Sequence, residues 1–386
     1  MSGGRRPPAT PRAVVNRHRH PEAVPPAAST RVLDFHRRQP GYRPTPLHRL
    51  ADPPVPGVGA VLLKDESDRF GLPAFKILGA SWAVEQMLRA RPDTRTLVAA
   101  SAGNHGRAVA HVAAQRRLAC RVFLPAAASR TRAELISSEG AQVVQVDGDY
   151  EDAVAAAERA AEAPGAALIA DTTLPGASVA DPAAGTGGGG PPPAGSAAWV
   201  VEGYSTLFRE AAAQAGVRFD VVLVPAGVGS LAAAAVTWAV HEHPGAAVLA
   251  VEPRTAACVT ASLARGEPAV VPTPGTTMAG LDAGTPSAAA WPTLRDGLTG
   301  AVTVSDAEAR HALQELAGRG LTIGECGAAT LAALRVLAVE PGCADLRAAA
   351  GLGPTATVLC IGSEGASDPV AYARAVRAAS PEQPDG

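Results

Sequence analysis

Between residues 96 and 170, four short apolar runs alternate with segments of helical periodicity. Residues 96–100, 119–124, 142–146 and 167–170 read as strands, and 106–115, 129–139 and 150–163 as the helices between them. Strands this short, each separated from the next by a helix, pair as a parallel sheet with right-handed crossovers. The same rhythm returns after a break. Strands are expected at 220–224, 248–251 and 357–361, and helices at 199–215, 230–242, 258–265, 306–318 and 327–337. Upstream, 60–64 reads as a strand and 77–90 as a helix with Leu78, Trp82 and Met87 inward. The fold class is therefore α/β.

Composition narrows the function. Hydrophobic residues are 47% of the 386, enough for a large core, and the formal net charge of -2 lacks the basic excess of a nucleic-acid binder. No apolar run reaches the ~18 residues of a membrane span. The five cysteines (Cys120, Cys258, Cys326, Cys343 and Cys360) are odd in number and lack CxxC spacing. They read as reduced thiols of a cytoplasmic protein, with no disulfide frame and no metal site. Residues 1–30 are rich in Pro, Arg and Ala and are expected to form a disordered arm. Residues 175–198 hold four consecutive glycines and then three prolines, the composition of a flexible insertion. The expected layout is a large lobe of 31–92 with 199–386, and a small lobe of 93–174.

Of the 34 basic residues only Lys64 and Lys76 are lysine; the other 32 are arginine. Guanidinium can replace most surface ammonium groups, but it stays protonated and cannot act as a nucleophilic amine. Lys76 follows Phe75 at a helix start, where an ammonium is disfavoured. Its pKa is expected to fall, freeing the amine for a Schiff base. A second constellation is 225–232, PAGVGSLA, between a buried strand and a helix. Gly227, Val228, Gly229 and Ser230 can present backbone N–H groups and a helix N-terminus to a phosphate. A third is Ser101, Ala102, Gly103, Asn104 and His105, again between strand and helix, a nest of donors suited to a carboxylate. One Schiff-base lysine, one phosphate cradle and one carboxylate cradle together point to pyridoxal 5'-phosphate and an amino-acid substrate. PAGVGSLA also matches GxGxxA, with Glu252 ending the next strand, so a nicotinamide-dependent oxidoreductase is the alternative of another class.

The chain resembles the fold-type II pyridoxal-phosphate enzymes, two-lobed proteins related to tryptophan synthase β and threonine dehydratase, and within them the diaminopropionate ammonia-lyases. GYRPTPL (41–47), KDESDRFGLPAFK (64–76), GNHGR (103–107), EGYSTLF (202–208), PAGVGSLA (225–232), TMAGLD (277–282), GECGA (324–328) and SEGASD (363–368) carry the resemblance. It implies that Lys76 holds the cofactor covalently, with Phe75 beside it. Asn104 would meet the phenolic oxygen, the 227–230 loop the phosphate, and Ser363 the pyridine nitrogen. A hydroxyl there leaves the ring nitrogen largely unprotonated, which favours elimination over transamination. The 101–105 loop would pin the substrate carboxylate.

The resemblance further implies a homodimer that eliminates ammonia from 2,3-diaminopropionate to give pyruvate. β-Elimination or β-replacement on another β-substituted amino acid is the nearest alternative. Relatives that accept both enantiomers carry an acid at the position of Ala102, whereas Asp171 keeps the family's other acid. The L enantiomer is therefore expected to be preferred. Cys326 reads as a packed small residue, Asp65 and Glu66 as an ion-paired turn, and His241-Glu242-His243 as a solvated helix end.

Overall fold

In a computed structural model, residues 11–51, 55–101, 103–173 and 196–378 are described. Eleven strands occur among them: β1 (Ala13–Val15), β2 (Leu47–Arg49), β3 (Ala60–Asp65), β4 (Thr96–Ala100), β5 (Ala119–Pro125), β6 (Gln142–Val146), β7 (Ala166–Leu168), β8 (Val221–Pro225), β9 (Ala247–Pro253), β10 (Gly300–Val304) and β11 (Thr357–Gly362). They form two sheets. The seven-stranded sheet has the order β1-β10-β9-β8-β11-β3-β2, and the four-stranded sheet β6-β5-β4-β7. All pairs are parallel except the two outermost of the larger sheet, β1 with β10 and β2 with β3. The strands of the smaller sheet all fall within 93–174, and those of the larger sheet all fall outside it.

The parallel strands are continuous apolar runs because helices cover both faces. β8, β9 and β10 are buried at every position. Between the sheets, helix Lys76–Ala90 crosses helix Ser196–Ala215 at a glycine pair. A Cβ on Gly79 would lie 2.5 Å from the Tyr204 ring, and one on Gly203 would lie 2.5 Å from the Leu78 carbonyl oxygen. Only bare backbone permits this approach, and it fixes the helix whose first residue is Lys76.

Two expectations are corrected here. Residues 11–30 belong to the ordered fold: β1 pairs antiparallel with β10, and Asn16 Nδ2 donates to the carbonyls of Arg295 and Leu298. A Pro- and Arg-rich composition hides a three-residue edge strand whose stability comes from a partner almost three hundred residues away. Residues 1–10 lie outside the described residues. Helix Ser196–Ala215 begins inside the segment assigned to the insertion; 174–195 lie outside the described residues.

Candidate active site

Chain order reverses once in each sheet. From β8 the larger sheet continues through β9 and β10 on one side, while β3 and β11 lie on the other. From β4 the smaller sheet runs through β5 and β6, and then β7 returns to the opposite side. Such switch points open a crevice beyond the carboxyl ends of the strands. The loop after β8 is 226–229 and the loop after β4 is 101–103, two of the cradles expected from sequence. Both line one cleft of about 1160 Å³, together with Phe75, Lys76, Asn104, His105, Asp171, Ser230 and Ser363.

Lys76 Nζ donates to Asp171 Oδ2 at 2.7 Å. Asp171 is carried by the segment after β7, which is tied to the larger-sheet side. There Thr173 N–H donates to Ser287 Oγ at 3.0 Å, and the Thr173 carbonyl accepts from Ala288 N–H at 2.9 Å. The electrostatics depart from expectation. Burial lowers the Lys76 pKa, but the Asp171 carboxylate, with Tyr204 beside it, outweighs this and holds it above the ordinary lysine value. Burial would likewise raise the Asp171 pKa, but the neighbouring His105 ring and Lys76 ammonium hold it well below the usual carboxylate range. The free pair is an ammonium and a carboxylate, so the amine becomes nucleophilic only by giving up a proton within the site. The Phe75 ring, centred 5.3 Å from Nζ and edge-on to Tyr204 at 4.7 Å, walls this pair.

The phosphate cradle fits its ligand on geometry. Gly229 has φ 93°, a left-handed conformation that costs a side chain dearly, and a Cβ there would strike Leu294 Cδ1 at 2.4 Å. A Cβ on Gly227 would lie 3.0 Å from the Gly280 carbonyl oxygen. Both residues keep the loop thin where helix Ser230–Glu242 presents its N-terminal N–H groups. Ser230 Oγ donates to the Asp171 carbonyl at 2.7 Å, which joins the cradle to the segment that carries Asp171. Val228 directs its carbonyl out of the cradle, accepting from Ser287 N–H at 2.9 Å. With an amine, an amide, a hydroxyl and an anion loop around one cleft, the residues fit pyridoxal phosphate.

At the other loop, helix Asn104–Gln115 starts after Gly103, whose N–H donates to Ser101 Oγ at 3.2 Å. A Cβ on Gly106 would lie 2.4 Å from the Ser101 carbonyl, so the turn closes tightly and leaves the first helix N–H groups for an anion. Ala102 lies outside the described residues. The His105 side chain is buried behind the loop, with Nε2 2.9 Å from the Ile169 carbonyl. Asn104 Nδ2 donates to Glu364 Oε2 at 2.6 Å, and Ser367 Oγ donates to the same oxygen at 3.0 Å. Glu364, which follows Ser363 directly in SEGASD, thus lines the cleft and holds Asn104. Tyr150, not among the expected site residues, also lines the cleft from the start of helix Tyr150–Ala161, in the glycine-acid turn DGDY.

Other candidates resolve as follows. Glu252 is fully buried, and its carboxylate accepts from Val259 N–H, Thr260 N–H and Thr260 Oγ1 at 2.6–2.7 Å. Burial raises its pKa to about 7. It caps the following helix and has no exposed surface to offer a ribose hydroxyl, which argues against the oxidoreductase alternative. His243 is not solvated: it is buried, stacks on Trp238 at 4.8 Å and accepts from Phe219 N–H at 2.8 Å. Cys326 lines the cleft, but burial pushes its thiol well above the ordinary value, which leaves it protonated. Among the described residues no group of His, Cys, Asp or Glu could hold a metal ion, and no single helix is long and apolar enough to cross a membrane.

Residues 38–364 match the family described as pyridoxal-phosphate dependent enzyme. The diaminopropionate ammonia-lyase of Salmonella typhimurium is 33% identical over 88% of this chain and 90% of its own. That of Escherichia coli K12 is 31% identical, covering 89% of each. The E. coli diaminopropionate ammonia lyase in complex with an aminoacrylate-PLP azomethine reaction intermediate superposes with a TM-score of 0.83, at 29% identity over 95% of this chain and 96% of that one. Maize serine racemase, 23% identical over 88% of this chain and 94% of its own, superposes with a TM-score of 0.71, a likeness of fold.

Proposed function

Because the chain belongs to the pyridoxal-phosphate dependent enzyme family, we propose that it is an ammonia-lyase acting on 2,3-diaminopropionate, with the L enantiomer preferred. One water is consumed, and the products are pyruvate and two ammonia molecules. The observation that carries the reading is the 2.7 Å contact of Lys76 with Asp171 in a cleft bordered by both anion loops.

The N–H groups of the 227–230 loop would bind the cofactor phosphate, Asn104 and Ser363 would flank its ring, and Lys76 Nζ would hold it covalently. The bound cofactor supplies an electron sink for the pair left at the substrate Cα. The N–H groups at the start of helix Asn104–Gln115 fix the substrate carboxylate, which orients the Cα–H bond. Asp171 Oδ2 then takes that proton, and Lys76 Nζ returns one within the cleft. Position 102 is alanine and offers no carboxylate, so the base inventory favours one enantiomer. The five cysteines are free and buried, which supports a cytoplasmic protein. A homodimer rests on the family likeness.

The test is kcat/KM for L- and D-2,3-diaminopropionate on the pyridoxal-phosphate-loaded enzyme and on Asp171→Asn. The L form is expected to lead by about 10²–10⁴-fold, the worth of one positioned base, and Asp171→Asn to lose a similar factor on it. Equal rates for both enantiomers would remove the preference. An unimpaired Asp171→Asn would remove the base.

A further inference from the structure

His105 divides its two ring nitrogens between a structural contact and the reactive carboxylate. Nε2 lies 2.9 Å from the Ile169 carbonyl, which can only accept, so Nε2 carries the ring proton. In the neutral ring Nδ1 then presents a lone pair. It is buried without a hydrogen-bond partner among the described residues and stands 3.9 Å from Asp171 Oδ2. The residue retains 2% of its surface. A second proton would create a cation sealed from water beside the Lys76 ammonium. Burial outweighs the pull of Asp171, Lys76 adds to it, and the ring is held below its ordinary pKa. Two acceptors, Oδ2 and Nδ1, thus face each other across a gap too long for a hydrogen bond. With the ring neutral, that arrangement offers no hydrogen bond to Asp171 as a carboxylate and a ready acceptor to Asp171 as a carboxylic acid.

We propose that His105 Nδ1 accepts the hydrogen bond of Asp171 once Asp171 has taken the Cα proton, making His105 a positioning residue for the base. The Cα–H bond breaks, its electron pair stays with the substrate, and an O–H bond forms at Oδ2. That O–H turns toward Nδ1 and closes to hydrogen-bond distance, about 2.8 Å. No proton passes to the ring. A hydrogen bond made only to the neutral acid favours that form, so it stabilises the transition state for proton removal more than the resting site. The proposal rests on the reading of Asp171 as the base.

Two near-isosteric replacements separate this role from a tether. Asparagine places an amide oxygen near the Nδ1 position but does not reach Ile169. Glutamine reaches Ile169 and leaves the Nδ1 position empty. In the loaded enzyme, His105→Gln is expected to lose about tenfold in kcat for L-2,3-diaminopropionate, the worth of one such bond. KM should stay near wild type, and the isotope effect with Cα-deuterated substrate should rise. His105→Asn should keep most of kcat. Independently of any variant's folding, ¹⁵N spectra of histidine-labelled wild-type holoenzyme should show a neutral ring at this site, protonated at Nε2. Wild-type kcat in His105→Gln with loss in His105→Asn would make the ring a tether and overturn the proposal, as would an Nδ1–H tautomer. Asp171→Asn keeps the two readings apart. If it retains activity, the base assignment fails; if it loses activity while His105→Gln does not, only the role of His105 fails.

Discussion

Lys64 lies on β3 with three hydrogen bonds made by its ammonium: to the Thr45 carbonyl at 2.8 Å, Glu210 Oε2 at 2.9 Å and Gln214 Oε1 at 2.8 Å. Its side chain has no exposed surface. Glu210 also receives Arg69 at 2.7 Å, and Arg69 in turn holds Glu66 at 2.6 Å, so buried charges balance in a closed network. Lys76, on the next helix, donates to Asp171 and keeps 21% of its side-chain surface open to the cleft. The two lysines share a chemistry and differ in saturation. An ammonium with every N–H satisfied and no water has nowhere to send a proton. One with a single carboxylate partner and an open side can exchange it. Survival of a lysine in an arginine-rich chain marks both sites, but only the surroundings tell a structural cation from a reactive amine.

The largest expected effect tests that distinction directly. Lys76→Ala should lower kcat by about 10⁴-fold or more, since a covalent anchor and a proton donor go together. Borohydride reduction of the loaded enzyme should fix the cofactor on the peptide containing Lys76 and leave Lys64 unmodified, as read by mass spectrometry of a digest. A reduced adduct on Lys64 would break the comparison.

Which parts of this were legible beforehand follows from where the information sits in the chain. The parallel strands were readable because each is a local apolar run; 96–100 and 142–146 are bounded as expected, and β5, β8 and β9 shift by no more than two residues at either end. β1 and β2 were not, being three-residue antiparallel edge strands, and the partner of β1 is remote in the chain. β10, Gly300–Val304, was not, although it is an apolar run and the expected helix at 306–318 follows it directly. Lys76 could be singled out from scarcity and context. Its raised pKa could not, because the dominant partner, Asp171, lies 95 positions away in the chain and meets it only through folding. Glu252 shows the reverse failure: a correct spacing was present, but three donors from the following helix occupy the carboxylate.

The next effect is on stability. Glu210→Ala removes the carboxylate shared by Lys64 and Arg69 and leaves two buried cations short of a partner. Breaking a buried ion pair from one side costs about 3–5 kcal/mol. Urea denaturation should show that loss, while kcat of the folded fraction stays near wild type, because Glu210 does not reach the cleft. A loss below about 1 kcal/mol would mean that water enters this network, and the contrast with Lys76 would narrow.

The smallest effect concerns the cofactor-free protein and depends on pH. Asp171 has its folded pKa depressed and Lys76 has its raised. The Asp171 contribution to stability is therefore complete above the ordinary carboxylate value and is lost as the pH falls through the depressed one. The Lys76 contribution is complete below the ordinary lysine value and is lost as the pH rises through the raised one. Between those limits both are present. Lys76→Met leaves Asp171 buried without its cation, so its pKa climbs and the variant is weakened across that window. The cleft admits water to the pair, and the cost should fall between that of an exposed pair and a sealed one, about 1–2 kcal/mol at pH 7. As the pH drops below the ordinary carboxylate value, the variant's Asp171 protonates first and the gap to wild type closes. Lys64→Met should instead cost about 3–5 kcal/mol, with no such closing, because Glu210 still has Arg69 to keep it ionised. Paired denaturation curves at neutral and mildly acidic pH read both slopes. Equal costs with equal pH dependence would show that saturation, the property taken here to separate the two lysines, does not govern how they are held.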